Sequence, residues 1–406
     1  MSFRIAMSGM NAAAADLNVT SHNIANVNTT GFKSSRAEFA DVFPVSAYGL
    51  SKNAIGAGVK LAQVAQQFTN GNVNFTGRAL DVAMTGQGFF TLSNQGSTVY
   101  SRAGNFGVDR DGHVVNPAGY RLQVFQPNSN GIGFDTGRMS DLRLPAGDAP
   151  PRPTSGIEIT SNLPSNASEP AIAPFDANDP ATYTHTTSLT IYDSLGTAHT
   201  QSMFFVKTAN PNEWQIHTQM NGDDVGGPVT LEFDGNGKMV EPSTGRIDLP
   251  AWDPGNGAAA LDITADVSRI TQYGERFSVG ALHQNGYDTG RLTGIEISAE
   301  GVVFANYTNG VAAPVGQLAL TSFTNNQGLQ NTGNNVWVQT FESGEPLRGV
   351  AGTSAFGAVQ GGALEASNVE LTEQLVNMIT AQRNFQANAQ MIQTQDQVTQ
   401  TVINLR

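Results

Sequence analysis

The feature that most constrains this chain is a pair of heptad-patterned segments, one at each end, enclosing a long stretch with no helical period. From the start, Phe3, Met7, Met10, Ala14, Leu17, Ser21 and Ile24 recur at alternating spacings of four and three, the stripe of a helix that packs as a coiled coil. The pattern stops where Asn26, Asn28 and Gly31 gather, residue types that end helices. At the other end Ser367-Asn368-Val369-Glu370 reads as a capping box. Leu371, Leu375, Met378, Gln382, Phe385, Ala389 and Ile392 then repeat the spacing. The phase slips near Gln395 and is resumed by Val398, Val402 and Leu405, a step that overwinds a coil locally.

Neither helix is well supplied for standing alone. Fully burying a Leu, Met or Phe contributes roughly 1.5–3 kcal/mol, against roughly 1–2 kcal/mol to fix each residue's backbone. The free faces also lack the charge pairs of a solvated helix. Arg4 and Asp16 are the only charges in the first 31 residues, and seven glutamines but only Arg383 and Asp396 as charges occupy 382–400. Such faces suit close packing. The residues leave two readings open: the helices close a domain of their own chain, or they bundle with those of other copies.

Between them the chain reads as β. Ser101–Asp109, a turn at Asp111-Gly112, His113–Val115, a turn at Asn116–Gly119 and Tyr120–Phe125 form an expected meander. Thr187–Tyr192 with Ala198–Val206, Gly294–Ser298 with Val302–Tyr307, and the strands Trp214–Met220 and Val229–Phe233 follow the same logic. Eight of the 18 prolines fall between 145 and 180, a composition unsuited to a sheet interior, so an inserted domain is expected to begin there. The expected fold is therefore mainly β and multidomain, with barrel- or sandwich-like domains nested discontinuously between terminal helices that form a coiled coil. Its layout is a helical assembly domain at 1–31 plus 364–406 and a connector at 32–70. An inner β domain follows at 71–144 plus 284–363, with an outer one inserted at 145–283.

Several chemistries are disfavoured. Net charge is −13 without a basic cluster, so nucleic acid has no phosphate-neutralising platform. There is no cysteine, hence no thiolate catalysis or Cys-ligated metal. No run is apolar enough for membrane insertion. The N-terminus lacks the continuous apolar core of a secretory leader, so export, if it occurs, is expected without cleavage of a signal peptide. The six histidines (22, 113, 185, 199, 217 and 283) show no ligand spacing. Asp109–Gly112 and Asp234–Gly237 resemble only part of a calcium loop and read as tight turns. No catalytic, cofactor or metal residue is assigned.

The ends are also recognisable. Asn23-Ile24-Ala25-Asn26, then Asn28-Thr29 and Gly31-Phe32-Lys33, resemble the N-terminal signature of the flagellar rod and hook axial protein family, with His22 where that family usually has Asn. Gly362–Val369, Leu375–Ile379 and Ala381–Gln386 resemble its C-terminal signature, and Gly86–Phe90 and Asn285–Tyr287 its β-domain landmarks. Rod-forming members are shorter; a chain with a 145–283 insertion resembles the hook-forming members. The resemblance implies a non-enzymatic, self-assembling helical homopolymer, a curved flexible tube that transmits motor torque as a universal joint. It implies paired terminal helices lining a channel, an extracellular location in the flagellum, and type III export without leader removal. Implied partners are further copies, the distal rod, the hook cap, the hook-filament junction proteins and the export apparatus. A straight distal-rod-like tube is the alternative, and a β-rich surface adhesin, which leaves the terminal signatures unexplained, ranks last.

Overall fold

The computed structural model describes residues 2–43, 56–128, 133–353 and 356–404. The chain is mainly β, with one helix near each end: α1, Ser2–Ala25, and α2, Leu371–Asn404. It divides into two compact units. The first comprises Met1–Ala146, Gly294–Ala305 and Ala313–Arg406; the second comprises Gly147–Thr293 and Asn306–Ala312. No helix among the described residues is long and apolar enough to cross a membrane.

In the first unit Phe89–Asn94 is a central strand. It pairs antiparallel with Ser97–Ser101, with Arg121–Pro127 through Leu92 and Ser93, and with Leu320–Ser322. Phe90, Leu92, Phe106, Leu122, Val124, Leu318 and Leu320 form its core, none more than 1% exposed. A smaller aromatic cluster of Phe89, Tyr100, Phe323 and Trp337 lies beside it. The long strand expected over Ser101–Asp109 is not formed; only Ser97–Ser101 and Gly107–Val108 are strand. The reason is local: Arg102 is drawn into a buried ion cluster, and Gly104 runs so close to the Val82 carbonyl that no side chain fits.

The second unit has two sheets. One runs in the order His185–Tyr192, Ala198–Lys207, Glu213–Met220, Val229–Phe233 and Met239–Glu241. The other centres on Gly156–Pro164, which pairs parallel with Thr264–Asp266 and Thr271–Tyr273 and antiparallel with Ser278–Gln284. Phe205, Trp214, Met220, Leu231 and Val267 are fully buried in the core that the sheets share. The alternation of buried and half-buried residues along Glu213–Met220 is the period of a strand with one face on a core.

Candidate assembly site: the helix pair and its root

α1 and α2 pack side by side. Asn23 near the end of α1 donates to Gln374 near the start of α2 at 3.1 Å, and Gly9 faces Asn388, so the helices run antiparallel. The side chains that α1 buries are Ala6, Ala13, Thr20 and Asn23. With Gly9 and Asp16 they form a heptad stripe of their own, one residue behind the Phe3–Ile24 stripe. Small residues let the backbones approach, and burial pushes the Asp16 carboxyl above its ordinary value. On α2 the packed positions are Gln374, Met378, Ala381, Asn388, Ile392 and Gln395, with Ala381 wholly buried. Gln395 stays on this seam, so the expected phase slip belongs to the large side chains and not to the packed face.

The larger side chains are left out. Phe3, Met7, Leu371, Leu375 and Phe385 are 37–48% exposed. Met10, Ala14, Leu17, Ile24, Met378, Ala389 and Ile392 are half-buried. Val402 falls in the last turns of α2, and Leu405 lies outside the described residues. Val376, Ile379, Met391 and Val398 add further exposed apolar surface to α2.

A hairpin missed in the sequence completes this region. β1 (Ser35–Val42) and β2 (Gly58–Gln66) pair antiparallel with a bulge at Glu38/Phe39, inside the segment expected to be a connector. Both strands lie against α1, where the Ser8 hydroxyl accepts from the Val59 amide at 3.2 Å. Phe39, Leu61 and Val64 on the hairpin are exposed as well.

The signature residues gather at the root of the helix pair. The Asn23 amide accepts from the Ser35 N–H at 2.8 Å and donates to its carbonyl at 2.7 Å, fixing how the chain leaves α1. Asn26 donates to the His22 carbonyl at 2.9 Å and accepts from the Thr29 hydroxyl at 3.1 Å, occupying groups that the helix end leaves free. Ile24 is half-buried, while Ala25 and Asn28 are exposed. Gly31 has φ +66°, and a Cβ there would strike the Ala103 backbone; only glycine meets both conditions. Phe32 is buried edge-on to His22, with ring centroids 5.5 Å apart.

Lys33 is the centre of the root. Its ammonium sits 2.7 Å from Glu365 and donates to the Thr69 carbonyl at 2.6 Å, with both ionised side chains wholly buried. Arg102 reaches the other Glu365 oxygen at 3.4 Å and donates to the Gly86 carbonyl at 2.5 Å. Burial pushes the Lys33 pKa below its ordinary value, Glu365 pulls it back, and Arg102 pushes it down again. Such a cluster holds geometry more than it adds stability, because desolvation offsets the attraction while loss of one partner strands a buried charge. Asn368 accepts from the Ser34 N–H at 2.7 Å and donates to the Gln67 carbonyl at 2.7 Å. The expected capping box therefore does not form as such: Asn368 serves the root, the Ser367 hydroxyl takes the Val369 N–H, and α2 starts at Leu371. Arg102 was not singled out in the sequence, where its only signal is a charge in neutral surroundings; Glu365 and Asn368 lie in the C-terminal signature run, which gave neither a place in a buried root. Among the described residues, no cluster of His, Asp and Glu is arranged to hold a metal ion.

Comparison with known proteins accounts for these features together. Residues 3–33 match the flagella basal body rod protein family, and 360–405 match the flagellar basal body rod FlgEFG protein C-terminal family. Residues 83–173 match the flagellar hook protein FlgE/F/G D1 domain, and 162–287 the flagellar basal body protein FlaE D2 domain. The flagellar hook protein FlgE of Escherichia coli is 40% identical over the full length of both chains. That of Treponema pallidum is 34% identical over 98% of each. The crystal structure of Helicobacter pylori flagellar hook protein FlgE2 shares the fold, with a TM-score of 0.54 at 16% identity over 72% of this chain and all of that one. With end-to-end identity to hook proteins and the family's terminal segments meeting at one buried root, the chain belongs to the flagellar hook protein FlgE family.

Proposed function

We propose that the chain is the structural subunit of the flagellar hook, building a curved, flexible tube that carries motor torque as a universal joint. The observation that carries the mechanism is the inverted helix pair. α1 and α2 meet through Ala, Gly, Thr and Asn and turn Phe3, Met7, Leu371, Leu375 and Phe385 toward solvent. Burying these side chains against helices of sibling copies supplies the contact area that one chain lacks, roughly 1.5–3 kcal/mol for each large side chain fully covered. Met10, Ala14, Leu17, Ile24 and Ala389, half-buried in the lone chain, extend the same contact. The signature from Asn23 to Lys33 sets the angle at which the helices leave the β part of the unit. In this reading the helices with the 1–31 and 364–406 ends form the assembly element. The connector at 32–70 joins it to an inner β layer, and an outer domain at 145–283 adds weaker contacts that shift as the tube bends.

The tube ends meet the distal rod, the hook cap and the hook-filament junction proteins. The subunit leaves the cell through the flagellar export apparatus, its N-terminal region serving as an uncleaved signal. The reading is tested by combining Phe3→Ser, Met7→Ser and Leu375→Ser. Purified parent protein is expected to grow curved tubes under electron microscopy, and the variant to remain a folded monomer. Tubes from the variant would refute the helix mechanism, and straight tubes from the parent would favour a rod-type subunit.

A further inference from the structure

Phe341 is the most exposed large apolar side chain among the described residues, its ring wholly in solvent. A lone exposed side chain is ordinary, but this one sits on a turn fastened from several sides. The Thr340 hydroxyl donates to the Gly328 carbonyl and accepts from the Glu342 N–H at 3.2 Å. Buried Ser343 donates through its hydroxyl to the Thr340 carbonyl at 2.7 Å, and Asn325 donates to the Glu342 carbonyl at 3.0 Å. Gly328 runs so close that a Cβ there would strike the Glu342 backbone. Docking a side chain whose turn is already ordered costs little further entropy.

The hairpin that carries this knob walls a hollow at its other end. Gln330–Gly333 and Val336–Val338 pair antiparallel and turn through Asn334 and Asn335, both at positive φ, as in a tight two-residue hairpin turn. Gly328 and Thr340 lie beyond the open end of the pair, and the turn end lines a cleft of about 890 Å³. Asn335 donates to the Thr30 carbonyl at 2.8 Å, tying that wall to the root of the helix pair. Phe32, Ala103, Pro117 and Ala118 supply apolar lining. Asn116 and Asn331 accept from the Tyr120 and Gly333 amides through their side-chain carbonyls, and their NH2 groups have no partner among the described residues. No acidic side chain of the described residues lines the cleft.

We propose that Phe341 of one copy seats in this cleft of the next, a head-to-tail contact between siblings that rests on the reading of the chain as a self-assembling subunit. Knob and cleft stand at opposite ends of one hairpin, so they do not meet within a molecule. As unlike surfaces they make a heterologous contact, which repeats from copy to copy and gives an open helical stack wherever the rotation does not close. The ring covers the apolar lining. Glu342 beside it brings a carboxylate to amide N–H donors in a cleft that holds no anion to repel it. The contact uses none of the exposed side chains of α1 and α2, so it adds to the helix bundle and can fail separately from it.

The critical concentration for tube growth of the full chain, read by sedimentation, tests this. Phe341→Ser should raise it by about tenfold or more with the calorimetric transitions of the lone chain unmoved. Ala118→Trp, which crowds the cleft, should do the same. The absence of cysteine allows a direct reading. Tubes of a double variant, Phe341→Cys with Ala118→Cys, should give a ladder of covalent oligomers under a short thiol-reactive crosslinker. Tubes of Phe341→Ser at the parent's concentration would overturn the contact and leave the helix mechanism standing. So would a raised critical concentration without that ladder, or a ladder that forms equally when Leu195→Cys replaces Ala118→Cys. A parent that grows no tubes would take down the contact and the subunit reading together.

Discussion

The second unit and the helix pair bury opposite kinds of side chain. The second unit encloses Trp214, Phe205, Met220 and Leu231 completely. The helix pair encloses Ala6, Ala13, Thr20, Asn23 and Ala381 and leaves Phe3, Met7, Leu371, Leu375 and Phe385 exposed. A core built of large side chains is finished within one molecule. A seam built of small ones is an alignment device, and its apolar area is still waiting for a partner. Amphipathicity alone does not say which stripe of a helix faces its own chain.

That contrast can be broken or sharpened by substitution. The largest effect is expected at the root. Glu365→Gln leaves Lys33 and Arg102 as uncompensated buried cations and should cost the first unit about 3–5 kcal/mol, read as a lowered calorimetric transition with that of the second unit unmoved. Next, Leu231→Ala hollows the core of the second unit, for about 2–5 kcal/mol from that unit alone. Gly9→Val wedges the helix seam at Asn388 and should cost about 1–3 kcal/mol, with loss of helix signal by circular dichroism. The smallest effect is the most telling. The combined serine substitutions at Phe3, Met7 and Leu375 should shift the stability of the lone chain by no more than about 0.5 kcal/mol per site while abolishing tubes. A large drop in monomer stability there would mean that these side chains already have a partner in their own chain.

Both helices, the β middle and several strands were legible in the sequence, because their periods are set by local geometry. Val229–Phe233 and Val302–Tyr307 have the expected bounds. What the sequence hid has physical causes. The β1–β2 hairpin was missed because the alternation of Val59, Leu61 and Val64 changes phase at the bulge opposite Glu38/Phe39. The packed stripe of α1 was missed because Ala6, Gly9 and Ala13 carry little hydrophobic weight beside Phe3, Met7 and Met10. The root was half visible. Its N-terminal members form a recognisable run, but nothing local links Lys33 to Arg102 or to a glutamate 332 residues away.

That separation has a consequence for how the molecule comes into being. Ser34 waits for Asn368, and Lys33 for Glu365, contacts spanning 334 and 332 residues. The second unit draws mostly on the contiguous stretch Gly147–Thr293. Long-range closure is slow because the loop entropy must be met before any contact repays it. A chain emerging from the ribosome therefore has its midsection ready early, while Lys33 and Ser34 stay unclosed until residues 365–368 have been made.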